Sequence, residues 1–203
     1  MRGFRNGLKH IRETCPHMRG AVELYGSPKS RKREPGFAAL VRIIIDQQVS
    51  VQAGAAIWNR LETACGSVTH DTVLSLGEQG LRNCGLSGAK ARYVSGIAQA
   101  IDQGNLDLNR LHRCREETIF NELTKLKGIG RWTAEIYLMF ALGKPDIMPV
   151  GDIALQAAAG RLLGMDERPG PTELEVIGER WRPYRSVAAI MLWHFYKKMP
   201  AAG

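Results

Sequence analysis

The stretch LKGIGRWTAEIYLMFAL, residues 126–142, sets two glycines, Gly128 and Gly130, directly before an apolar run with helical spacing. A glycine inside a helix costs about 1 kcal/mol against alanine, so the pair marks a turn rather than a helix interior. Upstream, REETIFNELTKL carries Ile119, Leu123 and Leu126 at helical spacing. A helix ending near Leu126, a KGIG turn and a second helix beginning near Arg131 make a helix-hairpin-helix. The glycines of such a turn allow backbone conformations closed to other residues. Their N–H groups, with the N-terminus of the next helix, can face an anion such as a DNA phosphate. The same residues also suit an ordinary tight turn between two helices.

Outward from the turn the chain continues to read as helix. Apolar residues recur at helical spacing from Phe37 to Leu61, opened by Pro35-Gly36. THDTVLSL and EQGLRNC read as two short helices. SGAKARYVSGIAQAID offers Ser87 as a cap and a face of Ala91, Val94, Ile97, Ala98 and Ile101. Trp132 to Leu142, Ile153 to Leu163, PTELEVIGERW and YRSVAAIMLWHFYKK complete the series. Strand-like alternation is nowhere sustained, and the expected class is all-α.

With 203 residues, 44% hydrophobic and 24% charged, the chain is globular in composition and long enough for one domain or two small lobes. No apolar run reaches the roughly 20 residues of a membrane span, and no signal peptide is visible, so the expectation is a soluble intracellular protein. A net charge of +8, from 28 basic and 20 acidic residues, suits a polyanionic partner. The densest basic cluster, KSRKR at 29–33, lies between Pro28 and Pro35 and reads as a solvated loop. Cys15, Cys65, Cys84 and Cys114 contain no C-x-x-C pair, which argues against a zinc site or a cysteine-held iron–sulfur cluster.

Asp152 follows the proline-interrupted stretch GKPDIMPVG and precedes the apolar periodicity of Ile153, Ala157 and Leu162. Taken alone it is a helix N-cap. LKGIGRWTA followed by MPVGDIAL, however, resembles the helix-hairpin-helix, Gly/Pro-rich loop and aspartate of the base-excision DNA glycosylase superfamily. IIIDQQVSVQAGAAIW, GLSGAKARYVSGIAQAI and WRPYRSVAAIMLWHFY are similar, in order, to stretches of its 3-methyladenine DNA glycosylase branch.

The resemblance implies a two-lobed helical fold with a DNA-binding cleft between lobes, one lobe about 37–144 and the other combining about 1–36 with 145–203. It implies that Asp152 is the catalytic carboxylate beside the sugar, and that Trp132, Trp193, Ile136 and Ile153 line the pocket for a flipped base. Some bacterial relatives carry tyrosine at the two isoleucine positions. Gln48 matches the wedge that fills the emptied stack, and Gly128, Gly130 and Thr133 would meet DNA phosphates. Each tryptophan also fits a plain core position, and Gln48 a solvent-facing one. Trp132 stands where bifunctional relatives carry a lysine, which points to base removal without strand cleavage. No organic cofactor is implied. A monovalent or divalent structural ion on the carbonyls of Thr124, Leu126 and Ile129 would be in keeping with the family's hairpins. The implied partner is double-stranded DNA bearing a damaged base, met by a monomer in the cytoplasm and nucleoid, or in a nucleus. A glycosylase for oxidised or mismatched bases and a non-catalytic DNA-binding module remain the alternatives.

Overall fold

The structure, a computed structural model, describes residues 3–30 and 32–199 and is all-helical there. The helices are α1 (Phe4–Thr14), α2 (Pro16–Tyr25), α3 (Phe37–Asp46), α4 (Val51–Cys65), α5 (His70–Asn83) and α6 (Gly88–Asp102). They continue as α7 (Leu108–Leu111), α8 (Glu116–Thr124), α9 (Arg131–Phe140), α10 (Ile153–Leu163), α11 (Pro171–Gly178) and α12 (Arg185–Tyr196). No described helix is long and apolar enough to cross a membrane. Arg31 of the basic cluster lies outside the described residues.

Two compact units divide the chain. One spans Arg33–Tyr137; the other joins the described residues up to Lys32 with those from Leu138 onward, so the division falls inside α9. In the first unit the apolar faces read from the sequence are interior: Ile43, Ile44, Leu61, Ala91, Val94, Ile97, Ile119 and Leu123 are buried. α5 and α6 pack against each other, and α3 against both α4 and α6. Ser87 caps α6 by accepting the Lys90 N–H at 3.3 Å. The two short helices expected at 69–84 are present as the two halves of α5, separated at Gly77, whose φ of 66° and ψ of 172° leave the helical region.

A correction concerns residues 37–61. The helical periodicity continues across them, but the backbone breaks between α3 and α4. Ser50 starts a new helix by accepting the Ala53 N–H at 3.1 Å. Gln48 sits in the break with φ of 52°, the one positive φ among described non-glycine residues.

In the second unit, α12 is the central element. Ser186 to Leu192 are buried continuously, and α1, α2 and α10 pack against it. Gly7 of α1 fits close beside Tyr184 and Val187, where a Cβ would lie 2.8 Å from the valine methyl. α10 starts at Asp152 and ends at Gly164 in the left-handed conformation.

Candidate active site and DNA interface

Asp152 is delivered by an irregular segment, residues 143–151, whose polar groups are tied down on both sides. The Ser186 hydroxyl accepts the Ile147 N–H at 2.9 Å and donates to the Ile147 carbonyl at 3.2 Å, while the Ser186 N–H donates to Pro145 O at 3.0 Å. The Arg185 guanidinium reaches the Asp146 carboxylate at 2.9 and 3.2 Å and its carbonyl at 2.9 Å. From α10, Gln156 donates to Val150 O at 2.8 Å. The loop therefore enters α10 with a fixed register, and Asp152 becomes its N-cap.

The Asp152 Oδ1 accepts two N–H groups, from Leu155 at 3.0 Å and from the Trp193 indole at 3.2 Å. Trp193 is half-buried and stacks on Phe140 with ring centroids 6.0 Å apart and planes at 31°. The carboxylate is thus oriented by a backbone amide and by a ring held in an aromatic pair. Ile153, the next residue, is 63% exposed. The N-cap reading of Asp152 holds, with Oδ1 as the capping atom.

The other predicted residues belong to the first unit. After α8, Leu126 N–H donates to Leu123 O at 3.1 Å and Ile129 N–H to Leu126 O at 3.0 Å, closing the hairpin turn over the buried Ile129. Gly128 has φ of 90°, and a Cβ there would lie 2.2 Å from the Tyr93 ring carbon Cγ. Only glycine fits that position. Gly130 differs from expectation: its φ is outside the left-handed region and a Cβ would meet nothing within 4 Å. Neither its backbone nor its neighbours require glycine.

Gly130 O accepts the Ala134 N–H at 3.1 Å, which makes it the start of α9. Thr133, in the first turn, is 2% exposed and its hydroxyl accepts from Gln47 at 2.8 Å. Its side chain is turned inward, so a contact to DNA from Thr133 would come from its N–H. One turn further along α9, Ile136 is 6% exposed and packed inside, while Trp132 is half-buried.

Two residues not singled out in the sequence organise this unit. Gln47 donates from Nε2 to both Gly128 O, at 3.1 Å, and Thr133 Oγ1. Lys90 donates from Nζ to Ile45 O at 2.8 Å and Gln47 O at 2.7 Å, and burial holds its amine below the usual lysine value, opposed by the charge of Asp46. Asp46 also binds Arg33 at 3.0 Å and Arg42 at 3.2 Å, so one arginine of the basic cluster serves an internal ion pair. Deeper in, Tyr137 accepts the Gly36 N–H at 3.0 Å and pairs with His112 Nε2. Burial pushes the Tyr137 hydroxyl up to about 12 and lowers His112, the latter opposed by Asp107. Among the described residues no group of three or more His, Cys, Asp or Glu is arranged to hold a metal.

The family model for the HhH-GPD superfamily base excision DNA repair protein matches residues 41–183. YfjP, a curated protein of Bacillus subtilis (strain 168), is 32% identical over 165 residues, which is 77% of this chain and 58% of the relative. The chain thus spans little more than half of that protein's length. A crystal structure of DNA-3-methyladenine glycosidase from Bacillus halodurans matches with a TM-score of 0.78 at 33% identity, covering 92% of this chain and 87% of that one. The 3-methyladenine DNA glycosylase of Schizosaccharomyces pombe, in complex with abasic DNA, matches with a TM-score of 0.84 at 26% identity, covering 93% and 95%.

Proposed function

From the premise that this chain belongs to the HhH-GPD superfamily of base excision DNA repair proteins, we propose that it is a monofunctional DNA glycosylase for alkylated purines of the 3-methyladenine type. The observation that carries this reading is the Asp152 carboxylate, oriented through Oδ1 by the Leu155 amide and the Trp193 indole.

The C1′–N bond is out of reach in stacked DNA, so the nucleotide is rotated out of the duplex and Gln48 fills the space left behind. An alkylated purine already carries positive charge, and the bonding electron pair leaves with it as a neutral base. The sugar then develops oxocarbenium character, which a carboxylate at its side stabilises. Water adds at C1′, loses its proton, and leaves an abasic site. The chain has tryptophan at 132 where a Schiff-base mechanism would need an amine, so strand cleavage is not part of the reaction.

The cationic base favours aromatic faces, which Trp132 and Trp193 supply. Ile153 adds an exposed aliphatic contact, while Ile136, one turn after Trp132 on α9, is buried inside its unit. Amides of Gly128, Gly130 and Thr133 take the phosphates. An ion on the carbonyls of Thr124, Leu126 and Ile129 would order the hairpin; the Leu126 carbonyl already accepts the Ile129 N–H and keeps its second lone pair. The protein acts as a monomer.

The test is incubation with duplexes carrying methylated, oxidised or mismatched bases, followed by identification of the released base. Free methylated purine with an intact, alkali-labile strand is expected, and borohydride should trap no adduct. Release of only oxidised or mismatched bases, or a trapped adduct, refutes the assignment.

A further inference from the structure

We propose that Gln47 is a positioning residue that joins the DNA wedge at Gln48 to the phosphate-binding hairpin, so that gripping the backbone and emptying the stack are acts of one rigid body. The inference rests on the glycosylase reading and on Gln48 as its wedge.

Gln48 is exposed and holds a left-handed backbone conformation that a non-glycine residue rarely adopts. Such a conformation persists only where its surroundings enforce it. Here two sets of bonds do so from opposite sides of the peptide chain. Lys90 Nζ draws the Ile45 and Gln47 carbonyls together at 2.8 and 2.7 Å, fixing the peptide that precedes Gln48. The Gln47 side chain then reaches the hairpin, donating to Gly128 O and Thr133 Oγ1. The carbonyl oxygen can only accept, which fixes Nε2, rather than Oε1, against it.

The same helix closes the circuit. Tyr93 lies one turn after Lys90 on α6, and its ring packs directly beneath Gly128. One face of α6 therefore holds the wedge segment through Lys90 and the hairpin turn through Tyr93, while Gln47 ties the two segments to each other. Gly128 accepts its amide bond on the carbonyl side, so the bond to Gln47 does not compete with an N–H aimed at a phosphate.

A wedge free to relax would spend part of its insertion energy on ordering itself. Held in place, it presents its side chain to the stack as soon as the hairpin is seated. Loss of Gln47 should therefore impair base eviction while sparing attachment to undamaged DNA, a split that loss of general stability does not produce.

The experiment uses Gln47→Met, which keeps the length and neutrality of the side chain but removes the donor to Gly128 O and Thr133 Oγ1, with Lys90→Met as an independent break and Gln48→Ala as the wedge control. Base release is measured in single turnover from an alkylated purine in a paired duplex and from the same base in an unpaired bubble. Unstacking is read separately, from the fluorescence of 2-aminopurine beside the lesion. For Gln47→Met and Lys90→Met we expect affinity for undamaged duplex within about threefold of wild type, release from the paired duplex lowered about tenfold or more, release from the bubble within about threefold, and a weakened fluorescence rise. Gln48→Ala should show the same pattern. Equal losses on duplex and bubble, or an unchanged fluorescence rise in both variants, overturn the inference. A wild-type protein that releases no base defeats the glycosylase reading instead, and the fluorescence comparison still decides whether Gln47 governs unstacking.

Discussion

Replacing Asp152 by asparagine separates its capping of α10 from the catalytic role proposed for it. The asparagine Oδ1 can accept the same N–H groups from Leu155 and Trp193, now at 3.0 and 3.2 Å, and asparagine caps helices as well as aspartate. What disappears is the negative charge, and with it the charge-assisted part of one bond and the attraction to the helix start, about 1 kcal/mol together. At 2–4 °C per kcal/mol for a chain of this size, Tm should fall by roughly 2–4 °C. Asp152→Ala also removes the cap and leaves the Trp193 indole without its acceptor, for a total of about 3 kcal/mol and roughly 6–12 °C. Base release should behave differently. Without a charge beside the developing oxocarbenium, single-turnover release should drop about 10²–10³-fold or more in both variants. The assay pairs scanning fluorimetry with quenched-flow release from an alkylated duplex, enzyme in excess. Activity within about tenfold of wild type in the asparagine variant would refute the catalytic role. A Tm loss as large as that of alanine would refute the capping geometry.

Other outcomes follow from the same structure. Gly128→Ala meets both a left-handed φ and the Tyr93 ring, and should cost about 2–5 kcal/mol in a denaturant melt. Gly130→Asp meets open space and supplies α9 with an internal cap; thermal stability should hold or rise by up to about 1 kcal/mol, while gel-shift affinity for any duplex falls about tenfold or more, because the amides are then occupied and a negative charge faces the phosphate. Trp132→Ala should lower single-turnover release of cationic 3-methyladenine about 5- to 30-fold more than release of neutral hypoxanthine, if the ring reads charge. Equal factors would leave it a stacking residue. Burial lowers the His112 pKa from its ordinary 6.5, so the unfolded chain binds a proton that the fold refuses; stability is full above pH 6.5 and is lost as pH falls toward the folded value, at no more than about 1.4 kcal/mol per pH unit. His112→Gln, which keeps an acceptor for the Tyr137 hydroxyl, should flatten the Tm profile between pH 7 and pH 5.

What could be read from the sequence was local. α10 opens at a residue that declares itself, Asp152 as cap, and its span is the one the apolar pattern indicates. Ser87 announces α6 in the same way. The break at 47–50 was hidden because the apolar period runs through it, and because the bonds that stabilise it come from Gly128 and Thr133, distant in sequence. Lys90 likewise looks like any surface lysine until its two carbonyl partners on the α3 side are in place. Gly130 was legible as a glycine but not in its reason: nothing inside the protein demands it. The pairing of Trp193 with Asp152 joins α12 to the start of α10, and no spacing rule connects those positions.

Each segment carrying a candidate role ends at the start of a helix, and what caps that helix accounts for the difference between the roles. Before α4, Ser50 satisfies the Ala53 amide with a neutral hydroxyl. Gln48 lies outside that helix and is exposed. At α10 the cap is a carboxylate, placed where the helix dipole favours an anion, and Trp193 holds the same oxygen. The helix end therefore orients a negative charge that belongs to the protein. At α9 the first position is Gly130, which has no side chain to offer, and the first-turn amides of any helix lack intrahelical acceptors. On the proposed reading a DNA phosphate supplies the anion there. On that reading, serine, aspartate and glycine at three helix starts would serve a wedge, a reacting carboxylate and a backbone grip.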